Sequence, residues 1–335
     1  MLDVDLLRKQ TLTDMINEFK VENLSAILGL LPRQEGVGQE FNWDILGVER
    51  DVDTFEGKLS PAGQRKMAVI GNQGARLART FKSTFVPGGV LMDLRNPGSE
   101  DRQRVAEDRI GAELRAHAAL IDRQNAFMIC RALQGTLAMT IDGLAHSIDY
   151  GIPASHKLTI GAGIPVSWGD PAADIVKDIR TIKTLPAEDA GETLGIALAP
   201  SEVIETLIKN DFVGSFFAST QAGVKAMEDG MIGRFQGLNW FAFDHTFKNE
   251  GGSVTRYLDR NKVVFIPTPD PEWGFMRVGS DVIPTDDKKG MQEVIGRYSY
   301  STLSENPASV GLYSGEVRLP VIRKPAAIVV ATVLP

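Results

Sequence analysis

The sequence predicts an α+β chain in which one long helix is flanked on both sides by β-structure. Three observations predict it: residues 101–134 carry a charged amphipathic helical pattern, a turn-rich stretch before them alternates as strands do, and residues 326–334 form an apolar closing strand. The 335 residues are 43% hydrophobic and 24% charged, as in folded domains, with ample apolar content for a core. Lys and Arg number 36 against 43 Asp and Glu, a net charge of −7. An acidic surface repels phosphate, so beside nucleic acid this chain is expected to be a wall and not a reader.

Asp3 and Asp5 precede any apolar run, so no signal peptide is expected, and the last apolar run is far short of the roughly 20 residues that span a bilayer. No membrane partner is expected. The single cysteine, Cys130, lies inside the long helical pattern and reads as a buried spacer.

In chain order, Leu2, Leu6, Leu7, Met15, Ile16 and Phe19 recur at helical spacing, and the pattern ends at Leu30, Leu31 and Pro32. This predicts an arm too small to be a domain. From Gln39, Phe41, Trp43 and Ile45 alternate with polar residues, Val52 to Phe55 resume, and a loop follows at Glu56, Gly57 and Lys58. A second extended stretch runs from Arg76 through Phe81 and Phe85 to the turn Pro87, Gly88, Gly89. Two such stretches around polar turns read as a projecting β-loop that needs a neighbour to cover it.

The long helix is predicted to open after Asn96, Pro97 and Gly98 with Ser99 as its N-cap, Glu100 and Asp101 suiting its positive end. Ile110, Leu114, Ile121, Met128 and Ala132 form one stripe, and Gly135 closes the helix. Its length is about 50 Å at 1.5 Å per residue. Arg102, Arg104, Glu107, Asp108, Arg109, Arg115, Asp122 and Arg123 fill the other face. They are expected in solvent as (i, i+4) pairs, or in part against an adjacent subunit.

Strands are expected at 145–150 and 158–160, and Asp170 before Pro171 reads as N-cap and first position of a helix. Asp170, Asp174 and Asp178 share a helix face, yet no histidine lies near enough to suggest a metal site. A strand at 194–199 turns at Pro200 into a helix from Ser201 with Val203, Ile204, Leu207 and Ile208 inward. Strands follow at 238–243, 262–266, 273–278 and 311–320, with a hairpin-like loop at 248–252.

No catalytic, cofactor-binding or metal-ligating residue is predicted. His117, His146, His156 and His245 share no ligand spacing. Gly161, Ala162 and Gly163 resemble the start of a dinucleotide loop, but Ile164 and Pro165 stand where the third glycine and a helix should come. No Walker loop, nucleophile elbow, His-Glu-x-x-His or Cys-x-x-Cys occurs. Many segments need partners, which favours an assembly protein; an oligomeric enzyme is the rival, which a cleft with strongly perturbed titrating groups would favour.

The order of certain stretches resembles the major capsid protein E family of tailed phages, the lambda-type head proteins, over residues 100–335. It rests on Ala132, Leu133, Gln134, Gly135 and Thr136 at the helix end, on Ile148, Asp149, Tyr150 and Gly151, and on Trp168 followed by Asp170, Pro171, Asp174 and Ile175. Further on it rests on Ala199 and Pro200, the strand 237–243, and the run from Tyr257 to Val264.

The resemblance implies the tailed-phage and herpesvirus capsid fold. Residues 1–38 would be the N-terminal arm, 39–95 the extended E-loop region, 96–178 a P-domain with spine helix 101–135, 179–262 the A-domain, and 263–335 the return to the P-domain. Pentamers and hexamers of one chain would build an icosahedral head around double-stranded DNA, bound without sequence specificity. With about thirty residues before the β-arm, a separate scaffolding protein is implied, with a portal and, optionally, a decoration protein. Location would be the virion after assembly in the host cytoplasm. A cargo-enclosing nanocompartment shell is the alternative within this fold. Gly36, Gly38, Gly57, Gly71 and Gly74 suit hinging or ordinary turns, and Lys58 and Lys66 carry no assigned role.

Overall fold

The computed structural model describes residues 7–19, 24–47, 69–87, 89, 100–141, 144–211, 213, 233–248, 252–285, 290–305 and 308–335. The expected strand at 52–55, the loop at Glu56, Gly57 and Lys58, Lys66, the helix start at Pro97, Gly98 and Ser99, and the apex at 249–251 lie outside them, as do Leu2 and Leu6. Helices are α1 (Lys9–Glu18), α2 (Ser25–Leu28), α3 (Glu100–Leu133), α4 (Ile175–Asp189) and α5 (Ser201–Lys209). The chain forms two compact units: Met1–Phe41, Ala75–Ile129 and Phe275–Val321 make the first, and Asn42–Gly74, Cys130–Gly274 and Ile322–Pro335 the second.

The first unit is a helix-on-sheet layer. Strand Ala308–Ile322 pairs antiparallel with Tyr298–Glu305 on one side and with Ala78–Pro87 on the other. Arg33–Glu35 joins the same sheet parallel to Gly274–Val278. Side chains alternate across a strand, so Val86, Val310 and Leu312 share the inward face, where they meet Ile110 and Leu114 of α3 and Leu12 of α1. Ile16 of α1 packs on Ala118 and Ile121. Each such side chain buried fully contributes about 1.5–3 kcal/mol. Leu7, Leu12 and Ile16, in the stretch expected as an arm, thus pack against this core.

Along α3 the expected stripe is buried: Ile110, Leu114, Ile121 and Ala132 are fully covered and Met128 almost so. Gly135, at φ +101°, closes the helix in the left-handed region a glycine adopts without strain. Asp122 corrects the expectation of a solvated charged face. It is 4% exposed and accepts a hydrogen bond from Arg297 Nη2. Arg297 also lies 3.6 Å from Glu316 Oε2, Asn125 Nδ2 donates to that oxygen at 3.0 Å, and Arg318 pairs with Glu316 Oε1. Apolar periodicity misses Asp122 because its partner lies 175 residues away in sequence.

The second unit holds a seven-stranded sheet: Arg234–Phe235, Leu238–Ala242, Leu194–Ala199, Lys262–Pro267, Val329–Thr332, Lys157–Ile160 and Gly163–Ile164, in that spatial order. Its middle strands are apolar on nearly every residue, as expected where both faces are covered. Ile175, Ile179 and Ile182 of α4, Val203, Ile204 and Leu207 of α5, and Trp168, Trp240 and Phe265 form one cluster with it. The start of α4 corrects the capping expectation by one turn. Asp174 caps the helix by accepting from Lys177 N at 3.0 Å, while Asp170 accepts from Ala172 N at 2.8 Å in a preceding turn. Strands Thr136–Ile141, Ser280–Pro284, Met291–Ile295 and Tyr298–Glu305 were not anticipated.

Removing one member of a buried charge chain strands its partners, at a cost of about 3–5 kcal/mol. Arg297→Met is expected to lower the urea unfolding stability of the subunit by that amount. A loss below about 1 kcal/mol would mean that Asp122 and Glu316 reach water.

Candidate assembly surfaces

The outward face of the first unit's sheet is aromatic. Registers Tyr298↔Gly315, Tyr300↔Tyr313 and Gly315↔Phe81 place these residues on one face, opposite the one that meets α3. Tyr300 and Tyr313 stack with centroids 5.2 Å apart, Phe81 stacks on Tyr313 at 5.8 Å, and Phe85 meets Tyr313 edge-on at 6.4 Å. Arg79 lies 4.2 Å over Phe81, and its Nε donates to Asp281 at 2.5 Å; the Tyr298 hydroxyl donates to the same carboxylate. Burial and that carboxylate push the Tyr298 hydroxyl above its ordinary range, so it stays a donor.

Two glycines make the aromatic packing possible. A Cβ on Gly311 would lie 2.7 Å from Tyr313 Cε2, and one on Gly315 would lie 2.5 Å from the Tyr298 hydroxyl oxygen. The rings lie over bare backbone, and the face they form is open at one end, where Phe85 is 59% exposed. Uncovered aromatic area of this kind marks interaction surfaces.

A second face with exposed apolar side chains, around Glu293 opposite Val282, lies on the hairpin of Ser280–Pro284 and Met291–Ile295. Cross-strand pairs Ser280↔Ile295 and Pro284↔Met291 put Val282, Met291 and Ile295 on one outward face, at 55%, 70% and 39% exposure. In the second unit, Glu40–Leu46 pairs with Val69–Arg76 as a two-stranded ribbon. It is anchored along its length by Trp43 Nε1 donating to Ile322 O at 3.2 Å, Leu46 N donating to Arg323 O at 2.7 Å and Gln73 Nε2 donating to Asp149 O at 2.7 Å. Ile70 on the ribbon is 76% exposed.

Several of the residues weighed for chemistry are held in structural contacts. His117 is buried between hydroxyls, His156 between Ile328 O and Asp189, while His146 is exposed and His245 half-buried. Asp178 accepts from Trp168 Nε1 at 3.0 Å, and burial raises its carboxyl above the usual range. Gly161 and Gly163, both at positive φ, make a tight turn between two short strands. Cys130 is buried, its thiol pushed up to about 12 by desolvation. Among the described residues no three or more His, Cys, Asp or Glu side chains converge to hold a metal. The tyrosine face was missed; its signal was the alternation Gly311, Tyr313, Gly315 opposite Tyr298 and Tyr300.

A long helix laid on a mainly antiparallel sheet, a second apolar sheet and a two-stranded ribbon define a shell-subunit fold of the tailed-phage type. The chain matches the phage major capsid protein E family over residues 86–333 and belongs to that family. It is a bacteriophage capsid protein, a structural subunit of a shell, and capsid proteins of this kind are virion components.

Solved structures share the fold. A protein described as a prophage capsid protein of Escherichia coli CFT073 aligns with TM-score 0.67 and 13% identity, covering 98% of this chain and 99% of its own. A phage-related protein of Bordetella bronchiseptica RB50 aligns at 0.59 and 12%, covering 97% and 98%. An encapsulin of Synechococcus elongatus PCC 7942 aligns at 0.51 and 8%, covering 95% and 89%. A search of curated proteins finds no match.

Gly315→Ala and Gly311→Ala each force a ring off bare backbone, a packing conflict of about 1–3 kcal/mol. Each is expected to lower the subunit's thermal midpoint, and an unchanged midpoint would mean the rings shift freely.

Proposed function

We propose that this chain assembles as pentamers and hexamers into an icosahedral phage head that encloses double-stranded DNA without reading its sequence. The family match over residues 86–333 carries this reading. Phe85 at the open end of the aromatic face, and Val282, Met291 and Ile295 on the hairpin, support it, because in a single subunit they are apolar side chains left in water. Each contact is modest, yet a subunit held by several at once is held cooperatively through effective concentration.

In this reading residues 1–38 are the N-terminal arm, 39–95 the E-loop region that lies over a neighbour, 96–178 and 263–335 the P-domain, and 179–262 the A-domain. The partners are a separate scaffolding protein, a portal and, optionally, a decoration protein. Assembly takes place in the host cytoplasm, and the chain has no catalytic role. A shell enclosing protein cargo is the second reading, favoured by the likeness to the encapsulin.

The test is negative-stain electron microscopy of the purified protein after size-exclusion chromatography, with and without a separately expressed scaffold. Closed shells, or rings of five and six, are expected; a monodisperse monomer or dimer under both conditions would overturn the proposal. Phe85→Ser, at an exposed position, is expected to change subunit stability by no more than about 0.5 kcal/mol. It is also expected to raise the protein concentration needed for assembly about tenfold, the effect of losing one contact of about 1.4 kcal/mol.

A further inference from the structure

The interface between α3 and the sheet contains a polar chain whose protons can be counted. Five side-chain contacts run through it. Thr84 Oγ1 lies 2.8 Å from His117 Nε2, His117 Nδ1 3.0 Å from Ser314 Oγ, and Ser314 Oγ 3.1 Å from Ser299 Oγ. Ser299 Oγ donates to Tyr313 O at 3.0 Å, and Thr13 Oγ1 donates to Ser299 O at 3.0 Å. His117 is 3% exposed, and Ser299 and Ser314 are fully buried.

Four hydroxyls and one neutral imidazole supply five protons for these five contacts, so all are satisfied in one arrangement. Ser299 gives its proton to Tyr313 O, so it must accept from Ser314. Ser314 must then accept from His117 Nδ1–H, which leaves Nε2 as the acceptor for Thr84. A second ring proton would stand on Nε2, where Thr84 would have to turn its own proton away to accept it, and it would bury a charge at a site 3% exposed.

We infer that His117 is a proton-sensitive latch: its neutral Nδ1–H ring fastens α3 to strand Ala78–Pro87, and a second ring proton loosens that strand. The strand carries Phe81 and Phe85, so the latch would regulate the assembly face and in that respect rests on the shell reading above. Burial holds the ring below its ordinary value; Glu113 on α3 pulls it back up and Lys82 on the strand pushes it down. The other strands and α1 present the uncharged hydroxyls of Ser314, Ser299 and Thr13 to this chain. For a histidine lowered in the folded state, the stabilisation is complete above the unfolded value of 6.5 and is lost as pH falls toward the folded value.

The test is hydrogen exchange of the unassembled subunit at about pH 7.5 and about pH 5.5, corrected for the intrinsic pH dependence of exchange. Opening of residues 78–87 is expected to increase by up to about tenfold per pH unit below the unfolded value, while residues 262–267 of the other unit hold their protection. His117→Gln keeps one donor and one acceptor without a titrating ring, and its 78–87 strand is expected to stay flat over the same range. A flat wild-type strand, acid opening shared equally by 262–267, or the same acid response in His117→Gln would each overturn the latch. Should His117→Gln not fold, the wild-type comparison of the two strands still decides. Exchange is read on single subunits, so absence of shells would sink the assembly proposal and leave this result intact.

Discussion

The contact between α3 and the three strands beneath it governs the first unit. Along the helix it changes character: apolar at Ile110 and Leu114, hydroxyl-bonded at His117, ionic at Asp122 and amide-bonded at Asn125, while Ala118 and Ile121 turn to Ile16 of α1. The apolar positions supply the area removed from water, but aliphatic side chains could re-pair after a slip of one turn, about 5.4 Å. The polar positions could not. A slipped helix would leave Asp122 buried without its arginine and take Asn125 from Glu316, so the polar groups set the register of a contact that hydrophobicity drives.

The sheet under that helix has two faces with different tasks. The inward face is committed to its own chain by Val86, Val310 and Leu312, and the outward face carries rings that its own chain leaves partly open. Period-two alternation makes this possible, since one strand can serve a core and an interface with no residue shared between them. The seven-stranded sheet of the second unit has no such division, because its central strands are buried on both faces.

What the sequence showed, and what it hid, follows from the distance over which each signal acts. The strand Leu194–Ala199, the helix Ser201–Lys209, the buried stripe of α3 and its end at Gly135 were legible because periodicity, a proline and a glycine act within a few residues. Asp174 in place of Asp170 as the cap of α4 is a local ambiguity, two acidic residues one turn apart of which only one faces the helix's free N–H groups. Asp122 and His117 were hidden because their partners Arg297 and Ser314 lie almost two hundred residues on, and the tyrosine face because Tyr300 and Tyr313 meet only once the register of their hairpin is known. The family resemblance, carried by residues 100–335, agrees with the match over 86–333, so for this chain the family was more legible than the surface details.

Strand Val329–Thr332 lies between Lys262–Pro267 and Lys157–Ile160. On a ribosome, everything from residue 157 to residue 267 is made well before it. Until it emerges, the seven-stranded sheet exists as a group of four strands and a group of two, each with a bare apolar edge. The second unit therefore closes late in synthesis, and a truncated chain exposes two unpaired edges in place of a core. Such a chain is sticky in the wrong places, a reason for quality control to remove fragments before they poison a growing shell.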